Sequence, residues 1–433
     1  MWGRVGTEGQ ETRDENLEAL TKGAILSRGL GRSYGDSSLP PSSHPVAVNT
    51  TLSDRILSFD HDTGLLTAEA GLSLYDLNWT FLPQLWFTPV SPGTQYVTLG
   101  GMVASDIHGK NHHVAGTFGR HVQSLKMRLA DNSIVTCSRR ELPDLFLATL
   151  GGMGLTGHIL EVTFRMVQVP TAWIWQETER IGNIDKYLVA LRESAVDWPM
   201  TVGWIDCLSV GAAMGRGILM KGRWAEPDEA PARAPRARPQ ITFPVELPSG
   251  FLGRPLVKTF NTLFFHQHRR RARRGCIHPE PYFYPLDTVH HWNRMYGRKG
   301  FAQYQCVLPA AGMPDNARRF LDVLTSLGGA SFLSVIKDCG AEGDGILSFP
   351  MPGISVALDI PMGDDTQHIV DRLNEFVIDE GGRIYLSKDA LTRAEHYRAM
   401  DPRVDRFLEI RRKYDPDLRI RSAQSVRLFG DPG

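Results

Sequence analysis

Cysteine is scarce: five residues in 433 (Cys137, Cys207, Cys276, Cys306 and Cys339), and no two form a Cys-x-x-Cys pair. That excludes a disulfide scaffold and a ribbon-type zinc site, and it suits a reducing compartment. Net charge is lacking too. Lys plus Arg (48) equals Asp plus Glu (48), so no global positive field exists to hold nucleic acid. Met1-Trp2-Gly3-Arg4 is followed by polar and acidic residues, without the apolar core of a signal peptide. One uncharged stretch, Leu77 to Ser105, has the length of a bilayer span, but Pro83, Pro89, Pro92 and the Gly100-Gly101 pair interrupt it. Such backbone is not tolerated facing lipid, so the stretch reads as buried protein.

What is present is ordinary for a globular chain: 42% hydrophobic residues, 22% charged, 42 Gly and 27 Pro. At ~100–200 residues per domain the length predicts roughly two to four domains. Residues 23–28 form a strand-like run that enters a Gly-rich loop, RGLGRSYGD (28–36). A second Gly-rich and small-residue segment runs from Pro92-Gly93-Thr94 to His108-Gly109. Val122–Leu129 and Ile134–Cys137 flank Asp131-Asn132-Ser133, a hairpin signal. A helix-like run, Leu142–Leu150, leads into GGMGLTG (151–157). Three such loops mark one domain whose backbone closely approaches a ligand. Residues 226–240 (EPDEAPARAPRARPQ) lack apolar periodicity and read as a mobile loop, as does about 255–280. In the last third, strands at 301–308, 330–337, 354–360 and 383–387 alternate with helices at 316–327 and 366–378. This β-α-β-β-α-β order is that of a ferredoxin-like sheet with helices on one face. Residues 389–415 read as helices. The fold class is α+β.

Successive N–H groups in the 28–36 loop suit an anion. No GxxxxGK[ST] loop exists, because Ala104 stands where the first Gly is required before Gly109-Lys110. Gly29-x-Gly31 is followed by Arg32, Ser33 and Tyr34, which is not a clean dinucleotide fingerprint. Three loops together point to a large diphosphate cofactor of the flavin kind. His108, His112 and His113 invite a metal reading, but no Glu completes HExxH and no Cys is near; a cofactor-facing or structural role is expected, with no metal. In the C-terminal sheet, alternation puts Gln303 and Gln305 on one strand face, and Ser355, Ala357 and Asp359 on another. Lys337 and Lys388 fall at strand ends near Tyr385, as solvated lysines or as groups entering a cleft. The basic run 266–274 follows the apolar-aromatic stretch 256–265. It reads as a solvated loop, or as a surface for an anionic membrane or a phosphate-bearing substrate.

These segments, with FGRHVQSL (118–125), HWNRMYGRKGFAQYQ (291–305), LSFP (347–350), GGRIYLSKD (381–389) and MDPRVD (400–405), extend over nearly the whole chain. They resemble the decaprenylphosphoryl-β-D-ribose 2′-oxidase family, FAD proteins of the vanillyl-alcohol-oxidase type. The resemblance implies an FAD domain built from both termini (1–170 and 383–433) around a substrate domain (171–382). Arg28, Gly29, Leu30, Gly31, Arg32, Ser33, Tyr34 and Gly35 would hold the cofactor. So would Pro92, Gly93, Thr94, Thr98, Gly101, Ser105, His108, Gly109, Asn111, His112, Gly152, Gly154, Gly157 and Ile159. Covalent-flavin relatives carry a His in the first loop where this chain has Arg32-Ser33, so noncovalent FAD is expected. Gln303, Gln305, Lys337 and Tyr385 would bind substrate, and Lys388 and His108 would act in catalysis. The chain departs from the family pattern at Ala357, in place of a pocket Cys, at Ser355, in place of Asn, and at Phe283, in place of Tyr. The implied reaction oxidises the 2′-hydroxyl of a polyprenylphosphoryl-ribose to the 2′-keto sugar. A quinone or O2 would re-oxidise the flavin, and a separate short-chain NAD(P)H reductase would complete epimerisation. A cytoplasmic protein held peripherally at the inner membrane is implied. The alternatives are an oxidase of a soluble sugar, polyol or aldonolactone, and a non-catalytic flavin-fold binding protein.

Overall fold

A computed structural model describes residues 2–268, 273–329, 331 and 333–433. Near the N-terminus, strands β1 (Gln10–Arg13), β2 (Ser27–Arg28) and β3 (Val46–Asn49) form a small parallel sheet in the order β1-β3-β2. It delivers the 28–36 loop. Five antiparallel strands follow: β4 (Ile56–Asp60), β5 (Leu65–Glu69), β6 (Val122–Arg128), β7 (Ile134–Ser138) and β8 (His158–Arg165), in the order β4-β5-β8-β6-β7. Alternation explains β8: Leu160, Val162 and Phe164 are buried, while Glu161, Thr163 and Arg165 are not. The β6–β7 hairpin turns at Asn132, whose φ of 70° is left-handed, a conformation that asparagine tolerates. The uncharged 77–105 stretch is broken as its prolines require. It holds the end of helix Leu74–Phe81, the short strand Trp86–Phe87 and the short helix α1 (Leu99–Ala104), with Leu77, Val90, Leu99 and Val103 fully buried. Among the described residues no helix is long and apolar enough to cross a membrane.

The second sheet has eight antiparallel strands. Its first half is β9 (Ile174–Ile181), α2 (Ile184–Asp197), β10 (Met200–Ile205), β11 (Gly217–Trp224), α3 (Arg254–Gln267) and β12 (Arg273–Ile277). The second half is β13 (Phe301–Pro309), α4 (Asp315–Ser326), β14 (Ser334–Cys339), β15 (Gly353–Pro361), α5 (Thr366–Asp379) and β16 (Arg383–Ile384). Strand order is β12-β9-β11-β10-β14-β15-β13-β16. Each half is thus β-α-β-β-α-β with internal order 4-1-3-2, the ferredoxin-like arrangement, and the halves meet at β10 and β14. The expected ferredoxin-like unit is one half of a doubled sheet. The doubling was hidden because the first half carries long insertions and little apolar regularity. The edge strand of the second half, β16, extends the sheet past residue 382.

The described residues of 255–280 do not form a single loop. They contain α3, β12 and a short helix, Pro279–Phe283. Val257, Asn261 and Phe265 form the buried stripe of α3. Periodicity was there to be read, but the flanking charges obscured it. Phe265 is buried, with the Arg180 and Arg216 guanidinium groups over its ring. The basic run falls partly at 269–272, outside the described residues. Residues 226–240 hold no helix or strand. Past β16, helices Ala394–Met400 and α6 (Val404–Tyr414) return to the N-terminal unit, where Asp144 meets Lys413 Nζ at 2.6 Å and Tyr414 Oη at 2.8 Å.

Candidate active site

A cavity of about 510 Å³ lies between the Gly-rich loops and one face of the eight-stranded sheet. On the loop side, Gly29, Leu30, Gly31, Arg32, Ser33 and Tyr34 line it, as do Pro92, Gly93, Thr94, Thr98, Gly101, Ser105, His108 and Gly109, and Gly154, Gly157 and Ile159. The backbone N–H groups of Leu30, Gly31, Arg32 and Ser33 find no acceptor among the described residues. A Cβ added to Gly93 or to Gly154 (φ 79°) would meet nothing within 4 Å, so both glycines bare their backbone to open space. Arg32, Lys110, Lys337 and Lys388 line the cavity, and among the described residues not one carboxylate does. Unpaired amides, bare glycines and a cationic lining fit a diphosphate-bearing cofactor.

Six expected residues do not line the cavity. Arg28 faces outward, with Nη1 3.2 Å from Glu11 Oε1. Gly35 serves chain packing: a Cβ there would sit 1.6 Å from the Asp389 carbonyl oxygen. Asn111 donates to the Pro89 carbonyl (2.8 Å). His112 is buried, with Nδ1 accepting from the Gly340 N–H at 3.0 Å, and burial holds it neutral, down to about 3. Gly152 packs on the Ala148 carbonyl. Phe283 stacks on Phe87 in the core (5.2 Å), and its neighbour Tyr282 lines the cavity instead. In each case a neighbouring segment of the protein, and not the cavity, takes up the residue's contacts.

On the sheet side, register brings the polar residues together. Gln303 pairs with Asp359 and Gln305 with Ala357 across β13 and β15, and Lys337 with Ser355 across β14 and β15. Gln303 Nε2 donates to Asp359 Oδ1 (2.5 Å), and Tyr296 Oη donates to Asp359 Oδ2 (3.0 Å). Burial raises Asp359 to about 6. Lys337 Nζ donates to the Gly109 carbonyl (2.9 Å) and to His108 Nδ1. Burial first, then the Lys337 charge, keeps His108 well below the ordinary imidazole range. With Nδ1 accepting, the ring proton sits on Nε2. Gln305 Nε2 lies 3.3 Å from that ring nitrogen. His108 is a neutral, fixed ring, and Ser355 Oγ holds Gln305 at 3.0 Å.

Lys388 follows β16 in a turn closed by its own N–H to the Tyr385 carbonyl (2.9 Å). Its Nζ stands 4.0 Å from the centre of the Tyr34 ring and has no hydrogen-bonded or ion-paired partner among the described residues. Burial lowers it to about 7, with Asp359 opposing and Lys337 adding to that shift. Tyr385 Oη donates to the Ser105 carbonyl (3.0 Å). The N–H of Tyr34 donates to the Ser387 carbonyl (3.0 Å), which ties the first Gly-rich loop to the Lys388 turn.

Sequence reasoning missed Lys110, Trp204, Met220 and Phe264. Lys110 Nζ donates to the Phe283 carbonyl (2.9 Å), and burial lowers it to about 7. It lies in sequence between His108 and His112, so a signal was present. Trp204, Met220 and Phe264 line the far end of the cavity, and nothing local marked them. Among the described residues no cluster of three or more His, Cys, Asp or Glu is arranged for a metal. None of the five cysteines lines the cavity, and four are buried. Treatment of the folded protein with iodoacetamide is therefore expected to leave turnover unchanged. Loss of activity proportional to one alkylated thiol would contradict this placement.

Residues 18–138 match the family described as an FAD binding domain. Cavity and match together define an FAD-dependent oxidoreductase. The chain is 34% identical to decaprenylphosphoryl-β-D-ribose oxidase of Mycolicibacterium smegmatis, over 95% of this chain and 92% of that protein. It is 26% identical to D-arabinono-1,4-lactone oxidase of Yarrowia lipolytica, over 40% of this chain and 34% of that one. L-gulonolactone oxidase of Mus musculus shares 30% over 31% of each. The chain belongs to the decaprenylphosphoryl-β-D-ribose oxidase family.

Proposed function

We propose that this protein oxidises the 2′-hydroxyl of a polyprenylphosphoryl-β-D-ribose to the 2′-keto sugar, with a vanillyl-alcohol-oxidase arrangement of its FAD and substrate portions. The observation that carries the reading is Lys388. It is a lysine without a hydrogen-bonded or ion-paired partner, lowered to about 7, beside the FAD loop and across from Gln303. FAD, when bound along the Gly-rich loops, supplies the two-electron acceptor for the hydride that leaves the carbinol carbon. Lys388, as the free amine, takes the hydroxyl proton at Nζ as that hydride departs. Gln303, Gln305 and Lys337 hold sugar oxygens, and Lys110 adds charge for the phosphate. Held geometry supplies much of the rate. Tyr34 and Tyr385 close the proton-accepting end against water. Full-length similarity to a lipid-riboside oxidase, against partial similarity to lactone oxidases, favours the lipid-linked sugar. A quinone or O2 re-oxidises the flavin, and a separate short-chain NAD(P)H reductase reduces the keto sugar to the arabinose form. The protein works from the cytoplasm at the inner-membrane surface.

Anaerobic mixing with farnesylphosphoryl-ribose is expected to bleach the flavin near 450 nm, a band position of ~450 nm that belongs to the cofactor itself. Bleaching by aldonolactones or free pentoses but not by the lipid riboside would overturn the reading. The reduction rate depends on the free-amine fraction of Lys388. It should rise about tenfold per pH unit below about 7 and level off above, because the amine is protonated on the acid side. A rate that falls as pH rises through 7 would remove Lys388 as the base. Arg32-Ser33 offers no histidine for attachment, so acid precipitation should leave all yellow colour in the supernatant.

A further inference from the structure

The cavity has two chemically different ends. Around β13, β14 and the Lys388 turn it presents Gln303, Gln305, Lys337 and Lys388; around β10 and β11 it presents Val202, Trp204 and Met220. Phe264 of α3 completes the apolar end, its ring 4.9 Å from Trp204. Phe264 also stacks on Phe260, at 5.8 Å and 16° between planes. Phe260 is 45% exposed, and on the same helix face Leu256 and Leu263 are 41% and 67% exposed. Their spacing of i, i+4 and i+7 makes one continuous stripe. Apolar surface therefore runs unbroken from inside the cavity, over Phe264, to the outside of α3. By helical periodicity Arg254 and Lys258 fall on the far side of the helix, so the stripe itself carries no charge.

We infer that this stripe, Leu256, Phe260 and Leu263 with Phe264 as the connecting ring, seats the isoprenoid chain of the substrate. The inference rests on the lipid-riboside reading above and adds where the lipid lies. A sugar phosphate held at the polar end needs a path for a long apolar tail. The tail leaves where polar lining ends, and Trp204 and Phe264 continue that lining onto α3. A neutral stripe that is continuous with the cavity lining suits a hydrocarbon chain.

The test compares holoenzyme with the Leu256→Ser/Leu263→Ser variant, both sites exposed, on farnesylphosphoryl-β-D-ribose and on the soluble methylphosphoryl-β-D-ribose. Binding of farnesyl phosphate, which lacks the sugar, is measured by equilibrium dialysis. The farnesyl-to-methyl ratio of kcat/KM should collapse at least tenfold in the variant, and farnesyl phosphate should bind correspondingly more weakly, at an unchanged melting temperature. An unchanged ratio with unchanged binding overturns the assignment. Loss of vesicle binding with the ratio intact also overturns it, in favour of a membrane-facing helix. If wild type binds farnesyl phosphate through α3 but oxidises neither riboside, the oxidation reading fails while the lipid seat stands. If the farnesyl riboside is oxidised and the variant's ratio does not move, the reverse holds.

Discussion

Replacing Lys388 with methionine should leave the protein yellow and folded, and should slow flavin reduction by the lipid riboside by roughly 10²–10⁴-fold, the range for loss of a positioned general base. Methionine keeps the volume beside Tyr34 and removes a buried amine, so stability should not suffer. Lys388→Arg is not conservative here. A guanidinium stays protonated throughout the working range and cannot accept the hydroxyl proton, so it should be as slow as methionine. Small primary amines should restore part of the rate to Lys388→Ala, and the restored rate should follow the free-amine fraction of the added amine. The expected split is a fall in kcat with KM little changed, because Gln303, Gln305 and Lys337 still hold the sugar. Normal bleaching in Lys388→Met would assign the base elsewhere. The remaining cavity lysines are poorer candidates: Lys337 Nζ is engaged by Gly109 and His108, and Lys110 Nζ by Phe283.

The second large effect lies far from the chemistry. Arg411 is fully buried and forms a two-pronged pair with Asp431, at 2.9 and 2.6 Å, with a third bond to the Ile420 carbonyl at 2.7 Å. Arg411→Met strands a buried carboxylate, and removing one partner of such a pair costs about 3–5 kcal/mol. The urea midpoint followed by far-ultraviolet circular dichroism should fall accordingly. The double variant Arg411→Met/Asp431→Leu should recover most of the loss, because the cost belongs to the uncompensated charge and not to the missing attraction. If the double variant is as unstable as the single one, packing is the cause. The same contact bears on cofactor binding. The helix between Arg411 and Asp431 in the chain carries Arg427, which bonds Asp36 at 2.9 and 2.7 Å and Asp389 at 2.9 Å. Arg427 therefore clamps the end of the first Gly-rich loop to the Lys388 turn, and loosening the C-terminus in Arg411→Met should also weaken FAD retention.

Much of the site was legible in the residues, for reasons of range. The Gly-rich loops could be read because their requirement is local: backbone approach to a ligand excludes side chains at fixed positions. Alternation placed Gln303 with Gln305 and Ser355 with Asp359, because a strand's two faces are set by the strand alone. The roles given to Lys388 and Lys337 came from resemblance, since a lysine at a strand end looks the same in water as in a cleft. The misplaced residues show the converse. Gly35 and Gly152 belong to the same motifs as true lining glycines, but their missing Cβ atoms make room for the Asp389 and Ala148 carbonyls. Which neighbour a glycine accommodates is decided by a distant segment.

By itself, the amino-acid sequence determined the α+β class, the Gly-rich loops and the strands and helices of the last third. Each follows from short-range rules of backbone conformation and side-chain period. Only the tertiary structure decided that two ferredoxin-like halves join through β10 and β14, that Trp204, Met220 and Phe264 form the apolar end of the cavity, and that Lys388 sits over Tyr34. Those facts depend on strand order and register between separate segments of the chain, where local pattern says which residues share a face but not which faces meet.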